Sequence, residues 1–357
     1  MMRKQLIVLT LALALLLALC CGAARAEVAP WSGSGTASDP WLIQTAADLV
    51  SLRDYVAAGE NATQGKYFKQ TADISLIGYC GVGRDWIPIG DESDSGHYFS
   101  GTYDGGGHTI SDLYIGIGGK NSGLFRGFPA GTTVKNLTVA GYVMGGYEIG
   151  GIVGWNQGII INCNFSGTVI STDNRAGGIA GFTGYASGAI ISNCVVVGNI
   201  SGIGGVGGVV GSVDVSLEDC HFSGSVTGTE GIRVGGIIGD SGGTLTGCTV
   251  AGDITGASEK VGGIAGSSWK GVIKNCTYQN GTVTGHDQVG GIVGLGNAQL
   301  IENCKSYGNV NSATNRAGGI AGETCGPIKG CENHGQVSST HYAGGITGHT
   351  WSDLGYH

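Results

Sequence analysis

The sequence has 357 residues, of which 72 are glycine, about one in five against a usual share of roughly 7%. Only 12% of the residues are charged and the formal net charge is −8, which argues against nucleic-acid binding because that function needs a basic surface. Proline is scarce at 5 residues and glycine follows no Gly-X-Y period, which excludes a collagen and a low-complexity disordered chain.

The start of the chain predicts a secretory signal peptide over residues 1–26. A basic start and an apolar run over residues 6–21 precede the small-residue pattern Ala24-Arg25-Ala26, and these are the three parts of a cleavable signal. The run is shorter than the about 20 residues that span a bilayer, and no later segment predicts a membrane span. A lipid anchor on Cys20 or Cys21 is the alternative. We expect a secreted protein, extracellular or on the cell surface.

Residues 27–64 predict an N-terminal cap that contains a helix over about residues 45–59. Thr45 and Asp48 have the spacing of a capping pair, apolar residues at helical spacing line one face, and Gly59 ends the helix.

The rest of the chain is dominated by an internal repeat. The unit reads apolar-Gly-Gly-Ile-x-Gly, then a variable loop, then Ile-x-Asn-Cys and Gly-x-Val. We assign residues 65–148 to the first coils and residues 149–357 to eight repeats, the last of them incomplete. The Gly-Gly pairs begin at positions 150, 177, 207, 235, 262, 290, 318 and 344, and a cysteine recurs in phase at 163, 194, 220, 248, 276, 304 and 331.

Each unit contains three short runs rich in Ile and Val, separated by Gly, Asn, Ser and Thr, which is a pattern of strands and turns. Three strands in about 28 residues predict one coil of an all-β, right-handed, three-sided parallel β-helix that rises about 4.8 Å per coil. Since a solenoid needs its ends covered, we expect the helix over residues 45–59 to cover the N-terminal end.

A structural ladder of asparagines and cysteines is expected where each coil bends between two sheets. Asparagine tolerates the left-handed conformation, and stacked amides can hydrogen-bond along the solenoid. The ladder residues are Asn162, Cys163, Asn193, Cys194, Cys220, Cys248, Asn275, Cys276, Asn303, Cys304 and Cys331. A buried column of free thiols is the favoured interpretation, and stacked disulfides or a metal site are the alternatives.

The residues after each Gly-Gly pair alternate in the predicted strand. The first is expected to form a buried aliphatic column. The second is expected to point outward as a stripe of small apolar residues, which is a candidate contact surface for another solenoid, another domain or the protein's own loops. An ordinary surface without a contact role is the alternative. The outward stripe comprises Val153, Ala180, Val210, Ile238, Ala265, Val293 and Ala321.

Candidate site residues are few, and none forms a catalytic motif. Glu259 and Asp287 lie three positions before neighbouring Gly-Gly pairs, where two carboxylates one coil apart would suit calcium. A solvated polar edge is the favoured interpretation, calcium and a glycosidase acid pair are the alternatives, and no other cofactor is indicated. Five aromatic residues fall in or near the loop after the Gly-Gly-Ile-x-Gly strand, where they would stack on sugar rings or else cover the sheet. These aromatic residues are Trp155, Phe182, Tyr185, Trp269 and Trp351.

The repeat unit, as in residues 150–169, and the string from Phe99 to Ile110 resemble the GLUG-motif repeats of bacterial surface proteins. The resemblance implies an extracellular filamentous or adhesive module, in some proteins attached to an IgA-specific metallopeptidase, and it implies no activity by itself. The zinc signature His-Glu-x-x-His does not occur in this sequence.

The function expected from these features is an adhesive, binding or spacer module for glycans or for host or cell-surface proteins. A polysaccharide lyase or glycoside hydrolase with its site in a groove of the β-helix is the alternative. A structural stalk, or a fragment that lacks a C-terminal domain or stacking partner, is the second alternative.

Overall fold

The computed structural model describes residues 29–90, 97–184 and 188–350. The chain divides into a unit of residues 1–31, of which only the last three are described, and a unit of residues 32–357. The expected signal peptide lies outside the described residues. Within the described part of the chain, no helix is long and apolar enough to cross a membrane.

The second unit is a parallel β-solenoid of about 11 coils, which confirms the predicted fold class. Each full coil adds one strand to each of four ladders, called I to IV in chain order, and every ladder pairs a strand with its equivalents one coil before and after. One coil, for example, runs from Ile159–Ile161 through Asn164–Ser171 and Asn174–Gly177 to Ala180–Thr183. The run around each Gly-Gly pair, predicted as one strand, therefore contributes two strands, one to ladder III and one to ladder IV.

The strands of ladders I and II are the following. Ladder I contains Trp41–Ile43, Tyr67–Gln70, Thr102–Asp104, Thr133–Lys135, Ile159–Ile161, Ile190–Ser192, Leu217–Glu218, Leu245–Thr246, Val272–Lys274, Leu300–Glu302 and Ile328–Lys329. Ladder II contains Ile74–Ser75, Thr109–Gly118, Thr138–Gly145, Asn164–Ser171, Val195–Gly202, His221–Gly228 and Thr249–Gly256, followed by the split strands Thr277–Asn280 with Thr282–Gly285, Lys305–Ser306 with Asn309–Ser312, and Glu332–Asn333 with Val337–Ser338.

Ladders III and IV begin later in the chain. Ladder III contains Ile149–Gly150, Asn174–Gly177, Gly204–Gly207, Val234–Gly235, Glu259–Gly262, Asp287–Gly290, Arg316–Gly318 and Tyr342–Gly344. Ladder IV contains Phe125–Phe128, Val153–Asn156, Ala180–Thr183, Val210–Val213, Ile238–Ser241, Ala265–Ser268, Val293–Gly296, Ala321–Thr324 and Thr347–Thr350.

Helix α1, Ala46–Ala58, follows the first strand of ladder I, as the sequence predicts. Thr45 accepts a hydrogen bond from the Asp48 backbone N–H at 3.2 Å, and the Asp48 carboxylate accepts the Thr45 N–H at 2.9 Å. This reciprocal capping box satisfies donors that a helix start leaves free. Leu49 and Leu52 are fully buried, so the helix adds its apolar face to the N-terminal end of the core.

The bend between ladders I and II uses left-handed backbone at one residue per coil. Asn162, Asn193 and Asn303 have φ of 54°, 52° and 51°, a conformation that asparagine tolerates better than most residues. Where asparagine is absent, Asp219 and Gly247 occupy the bend with φ of 50° and 67°. The residue types that alternate at this position therefore share a backbone requirement.

The corner between ladders III and IV is a close contact between successive coils. At Gly236, the second glycine of a pair, a Cβ atom would collide with the carbonyl oxygen of Gly263 in the next coil and lie 2.6 Å from Cγ1 of Val250. At Gly263 it would lie 2.8 Å from the Tyr278 ring. Glycine is required here because the backbone of the next coil and an inward side chain of ladder II fill the space of a side chain.

The aliphatic column after the Gly-Gly pairs is buried as predicted in all coils but the last described one, where Ile346 is 39% exposed. The fully buried members are Ile152, Ile179, Val209, Ile237, Ile264, Ile292 and Ile320.

The predicted outward stripe of small apolar residues is wrong, because all seven members are 0% exposed. These are Val153, Ala180, Val210, Ile238, Ala265, Val293 and Ala321. The reason is visible at Val209 and Val210, whose backbone N–H groups both donate to the carbonyl oxygen of Ile237 at 3.0 Å. The chain turns between these residues, so the alternation of a regular strand is lost and both side chains enter the core.

We expect Gly236→Ala to lower the free energy of unfolding by about 1–3 kcal/mol, because the added methyl group overpacks the corner. Gly345→Ala is the matched control, since Gly345 occupies the same position of the last described coil and a Cβ there would meet nothing within 4 Å. The control should change stability by no more than about 0.5 kcal/mol. Urea denaturation of both variants measures the difference, and equal midpoints would contradict the proposed role of the corner.

Candidate functional site

The outward face of ladder IV carries one residue per coil and includes a partly exposed aromatic pair. Trp155 and Phe182 are register partners in neighbouring coils, and both are half-buried. The Trp155 ring lies 5.8 Å from that of Tyr98, and the Arg175 guanidinium lies 4.1 Å from the Phe182 ring centroid. The column continues along the solenoid as Ser212, Asp240, Ser267, Leu295 and Glu323.

The other predicted aromatic residues do not join this pair in the described structure. Trp269 follows Ser267 by two residues, four coils beyond Trp155, or about 19 Å along the solenoid. Its side chain is 42% exposed, it covers Gly242, and the Lys270 ammonium lies 4.5 Å from its ring centroid. Tyr185 and Trp351 lie outside the described residues.

A second outward column, called here the left-handed column, runs along ladder III, two positions before each Gly-Gly pair. Its first six members have φ between 51° and 76°, and a seventh residue, Arg316, follows in register. No single residue type occupies all seven positions, so the residue types alone do not reveal the column. Their constant distance from the Gly-Gly pairs is the signal that could have found them. The six are Glu148, Arg175, Gly205, Arg233, Lys260 and Gln288.

The column and the aromatic pair meet at Arg175. Its Nη1 donates to the buried Glu148 carboxylate, and its guanidinium lies 5.1 Å from the Tyr147 ring centroid and 4.1 Å from that of Phe182. Burial raises the pKa of Glu148, and the ion pair with Arg175 counteracts part of this effect. An acid and two aromatic faces thus fix the position of the guanidinium.

A cavity of about 200 Å³ opens beside Arg175, where Gly205 interrupts the left-handed column. Arg233 borders its other side, with a side chain that is 42% exposed and Nε 3.7 Å from the Asp240 carboxylate. Burial raises the pKa of Asp240, while Arg233 lowers it in part. We call this cavity, lined by Arg175, Gly205, Ser212, Arg233 and Asp240, the arginine notch.

The candidate calcium ligands Glu259 and Asp287 are register partners, but Asp287 is already engaged. Its Oδ1 accepts from Arg316 Nε at 3.0 Å, and its Oδ2 accepts from Arg316 Nη2. Burial would raise the pKa of Asp287, but the bonds from Arg316 and from the Gln288 backbone outweigh it and lower the pKa to about 2. The described residues contain no group of three or more His, Cys, Asp or Glu that could hold a metal ion.

Arg316 also donates to Glu323, which is 1% exposed and accepts a further bond from Gln288. The two carboxylates therefore share one guanidinium, which is the pairing that a buried charge requires. Next to this network, a groove of about 520 Å³ runs past Glu259 and Asp287 and is bordered by His286 and His341. Calcium at Glu259 and Asp287 stays a prediction.

The cysteine column lies inside the solenoid with its thiols free. Six of its seven members are fully buried, and Cys331 is half-buried. The sulfur atoms donate to carbonyl oxygens two residues earlier in the chain, for example Cys276 Sγ to Lys274 at 3.3 Å. Burial, reinforced by the neighbouring thiol of Cys194, raises the pKa of Cys163, so we assign the column to core packing. The buried members are Cys163, Cys194, Cys220, Cys248, Cys276 and Cys304.

Comparison with known proteins identifies the repeat. Residues 145–170 match the family model of the GLUG motif, which confirms the resemblance seen in the repeat unit. Halomucin of Haloquadratum walsbyi is 32% identical over 164 residues, which are 44% of this chain and 2% of that protein. A "Putative Gly-rich membrane protein" of Evansella cellulosilytica is 34% identical over 136 residues, 36% of this chain and 15% of that protein.

The chain thus spans a small part of the length of these curated relatives. Among solved structures, it is similar to that of a "putative immunoglobulin A1 protease from Bacteroides ovatus", with 20% sequence identity, a TM-score of 0.47, and coverage of 90% of this chain and 86% of that chain. The chain carries the GLUG motif on a β-solenoid and is similar to segments of much longer curated proteins.

Among the described cysteines, we expect one fast-reacting thiol in the native protein, that of Cys325, which is exposed. Cys331 should react more slowly, and the seven buried thiols, those of Cys80 and of the six buried members of the cysteine column, should react only after unfolding, because the thiolate is the reactive form and burial suppresses it. Titration with a thiol reagent in native buffer and in denaturant without reductant measures both stages. Cys325→Ser should remove the fast phase, and a denatured count below nine for the cysteines from Cys80 onward would indicate disulfides.

We expect Arg316→Gln to lower the free energy of unfolding by about 3 kcal/mol near neutral pH, because it leaves the buried Glu323 carboxylate and the half-buried Asp287 carboxylate without their partner. The folded pKa of Asp287, about 2, lies below its ordinary value of 3.8. Its stabilising contribution is therefore present above about pH 4 and is lost as the pH falls through about 2. Denaturation between pH 7 and pH 2 should show a smaller acid-induced loss in the variant than in the wild type.

Lys305→Gln is the control for this measurement, since Lys305 pairs with Glu332 at 3.2 Å and both side chains are more than 40% exposed. An exposed pair contributes no more than about 1 kcal/mol. A loss in Arg316→Gln no larger than in this control would show that the Asp287–Arg316–Glu323 network does not stabilise the fold.

Proposed function

We propose that this chain is a surface-displayed β-solenoid module that binds glycans at the corner between ladders III and IV. The observation that carries the proposal is the partly exposed aromatic pair, Trp155 and Phe182, which stand in register beside the fixed guanidinium of Arg175. Aromatic side chains offer large, rigid contact area at low entropic cost. A platform of this kind next to hydrogen-bond donors suits the apolar face and the hydroxyl groups of a sugar ring.

The repeat itself supports an extended ligand. Coils follow one another at about 4.8 Å, so outward columns present equivalent positions along a line, and a linear polysaccharide lying parallel to that line would contact several coils. The surface location of the module is part of the proposal. It draws on the GLUG motif and on the similarity to segments of a halomucin and of a membrane protein.

A structural stalk is the second candidate function. The continuous parallel ladders and the fully buried aliphatic column favour it, since they make a stiff rod whatever its surface binds. An enzymatic function has less support. Of the two acids that could flank a glycosidic bond, Asp287 is paired with Arg316 through both of its oxygens.

We expect the double variant Trp155→Ala, Phe182→Ala to bind its glycan at least tenfold more weakly, which corresponds to about 1.4 kcal/mol. A polysaccharide array followed by calorimetry on the best ligand makes the measurement. Trp269→Ala is the control, because Trp269 lies four coils away, and it should retain wild-type affinity. Thermal unfolding of each variant separates lost contact from lost folding.

Two results would contradict the proposal. Wild-type protein that binds none of the polysaccharides would favour the structural stalk. Wild-type protein that binds a glycan with an affinity unchanged in the double variant would place the binding surface elsewhere on the solenoid.

A further inference from the structure

We propose that the arginine notch is a subsite for the carboxylate group of an acidic sugar, held between Arg175 and Arg233. The inference rests on the proposed glycan-binding function and specifies the class of glycan. Its starting point is the gap in the left-handed column, where Gly205 stands between two arginines that lie two coils apart, about 10 Å between their backbones.

The notch exists because two small residues coincide in one coil. Gly205 contributes no side chain to the left-handed column, and Ser212 is a short member of the ladder IV column. A Cβ atom at Gly205 would have Arg175 Cγ as its nearest neighbour, at 3.5 Å. The resulting cavity of about 200 Å³ is smaller than the roughly 300–1,000 Å³ that drug-sized ligands occupy, which suits one sugar residue or its carboxylate end.

The guanidinium groups have donors left for a ligand. Arg175 gives one hydrogen bond, from Nη1, to Glu148, which lies in the preceding coil, on the side away from Gly205. Arg233 approaches Asp240 at 3.7 Å, beyond ordinary hydrogen-bond distance. Since a guanidinium carries five N–H donors in a planar fork that matches a carboxylate, both arginines can donate into the notch.

One acid opposes the ligand, and this opposition gives the proposal a distinctive test. Asp240 lines the notch and competes with an incoming carboxylate for Arg233. Removing its charge should therefore strengthen binding, whereas a purely structural Arg233–Asp240 pair would predict no gain. The formal net charge of −8 adds little repulsion at the notch itself, since exposed charges more than about 8 Å away are largely screened at physiological ionic strength.

The arginine notch lies next to the aromatic pair, one coil further along the solenoid. Phe182 is the register partner of Ser212, so the platform and the notch occupy successive coils of the same corner. A polysaccharide with a sugar ring on Trp155 and Phe182 would place a following residue beside the two arginines. The carboxylate of a uronic acid and that of a sialic acid both match this chemistry.

The test compares polygalacturonate with its carboxyl-reduced counterpart, and a sialylated oligosaccharide with its desialylated form, by calorimetry. We expect wild-type protein to prefer the carboxylated member of one pair at least tenfold, and the pair that shows the preference identifies the sugar. Arg233→Gln and Gly205→Gln should each abolish the preference. The second of these variants fills the notch, and Gln288 shows that glutamine adopts left-handed backbone in this column, with φ of 51°.

Two control variants distinguish an effect of the notch from a general effect of charge or of folding. Lys260→Gln removes a positive charge from the same column one coil beyond Arg233 and should leave the preference intact, and Asp240→Asn should raise affinity several-fold. Equal binding of the carboxylated and the neutral forms would overturn the carboxylate subsite and leave the proposed glycan-binding function standing. A preference for the carboxylated form that survives Gly205→Gln would have the same consequence.

A monosaccharide experiment distinguishes the remaining outcomes. Free galacturonate and N-acetylneuraminate are added while the arginine Nε–H signals of Arg175 and Arg233 are followed by NMR. Shifts of these signals without polysaccharide binding would support the notch and overturn the glycan-binding module. If the signals do not shift and the protein binds no polysaccharide, both the notch and the glycan-binding module are overturned.

Discussion

The close approach of successive coils at the second glycine of every Gly-Gly pair but the last described one is the constraint on which this structure depends. A side chain at Gly236 or Gly263 would collide with the carbonyl oxygen of the next coil. The space that glycine leaves is filled from the opposite side by an inward residue of ladder II, such as Val250 or Tyr278. Glycine at this corner therefore permits both the coil spacing of a hydrogen-bonded ladder and a large side chain in the core.

This corner also determines which residues are free to vary. Because the chain turns sharply between ladders III and IV, two successive residues such as Val209 and Val210 both enter the core. The outward positions are then of two kinds, which meet at one edge of the coil. One is the left-handed column, two positions before each Gly-Gly pair, and the other is the column of ladder IV that contains Trp155 and Phe182. Arg175 contacts Phe182 there, and Arg316 contacts Glu323. Variation at these positions changes the surface without changing the fold, which is how a repeat scaffold acquires binding sites.

The sequence predicts features that recur with a fixed residue type, and it fails where only the backbone recurs. The coil length, the bend at Asn162 and its equivalents and the capping box at Thr45 are all visible in the residues. The left-handed column is not, because Arg175, Gly205 and Gln288 share a conformation but no chemistry. The Ala180 side chain is predicted to point outward because the alternation of a regular strand is assumed to continue past the Gly-Gly pair, where the chain in fact turns. The partner of Asp287 is missed because Arg316 lies 29 residues further along the chain.

At the same corner, the proposed recognition of an acidic sugar would depend on geometry rather than on overall charge. The chain carries 26 acidic and 18 basic residues, so its long-range field does not attract an anionic polymer. Arg175 is nevertheless held by an acid behind it and by aromatic rings beside it, and Arg233 faces it across a gap made by Gly205. Side chains fixed in this way lose little entropy when a ligand binds. A planar carboxylate placed between them meets two donor forks at once, whereas a neutral hydroxyl group at the same place meets donors that it can satisfy only in part.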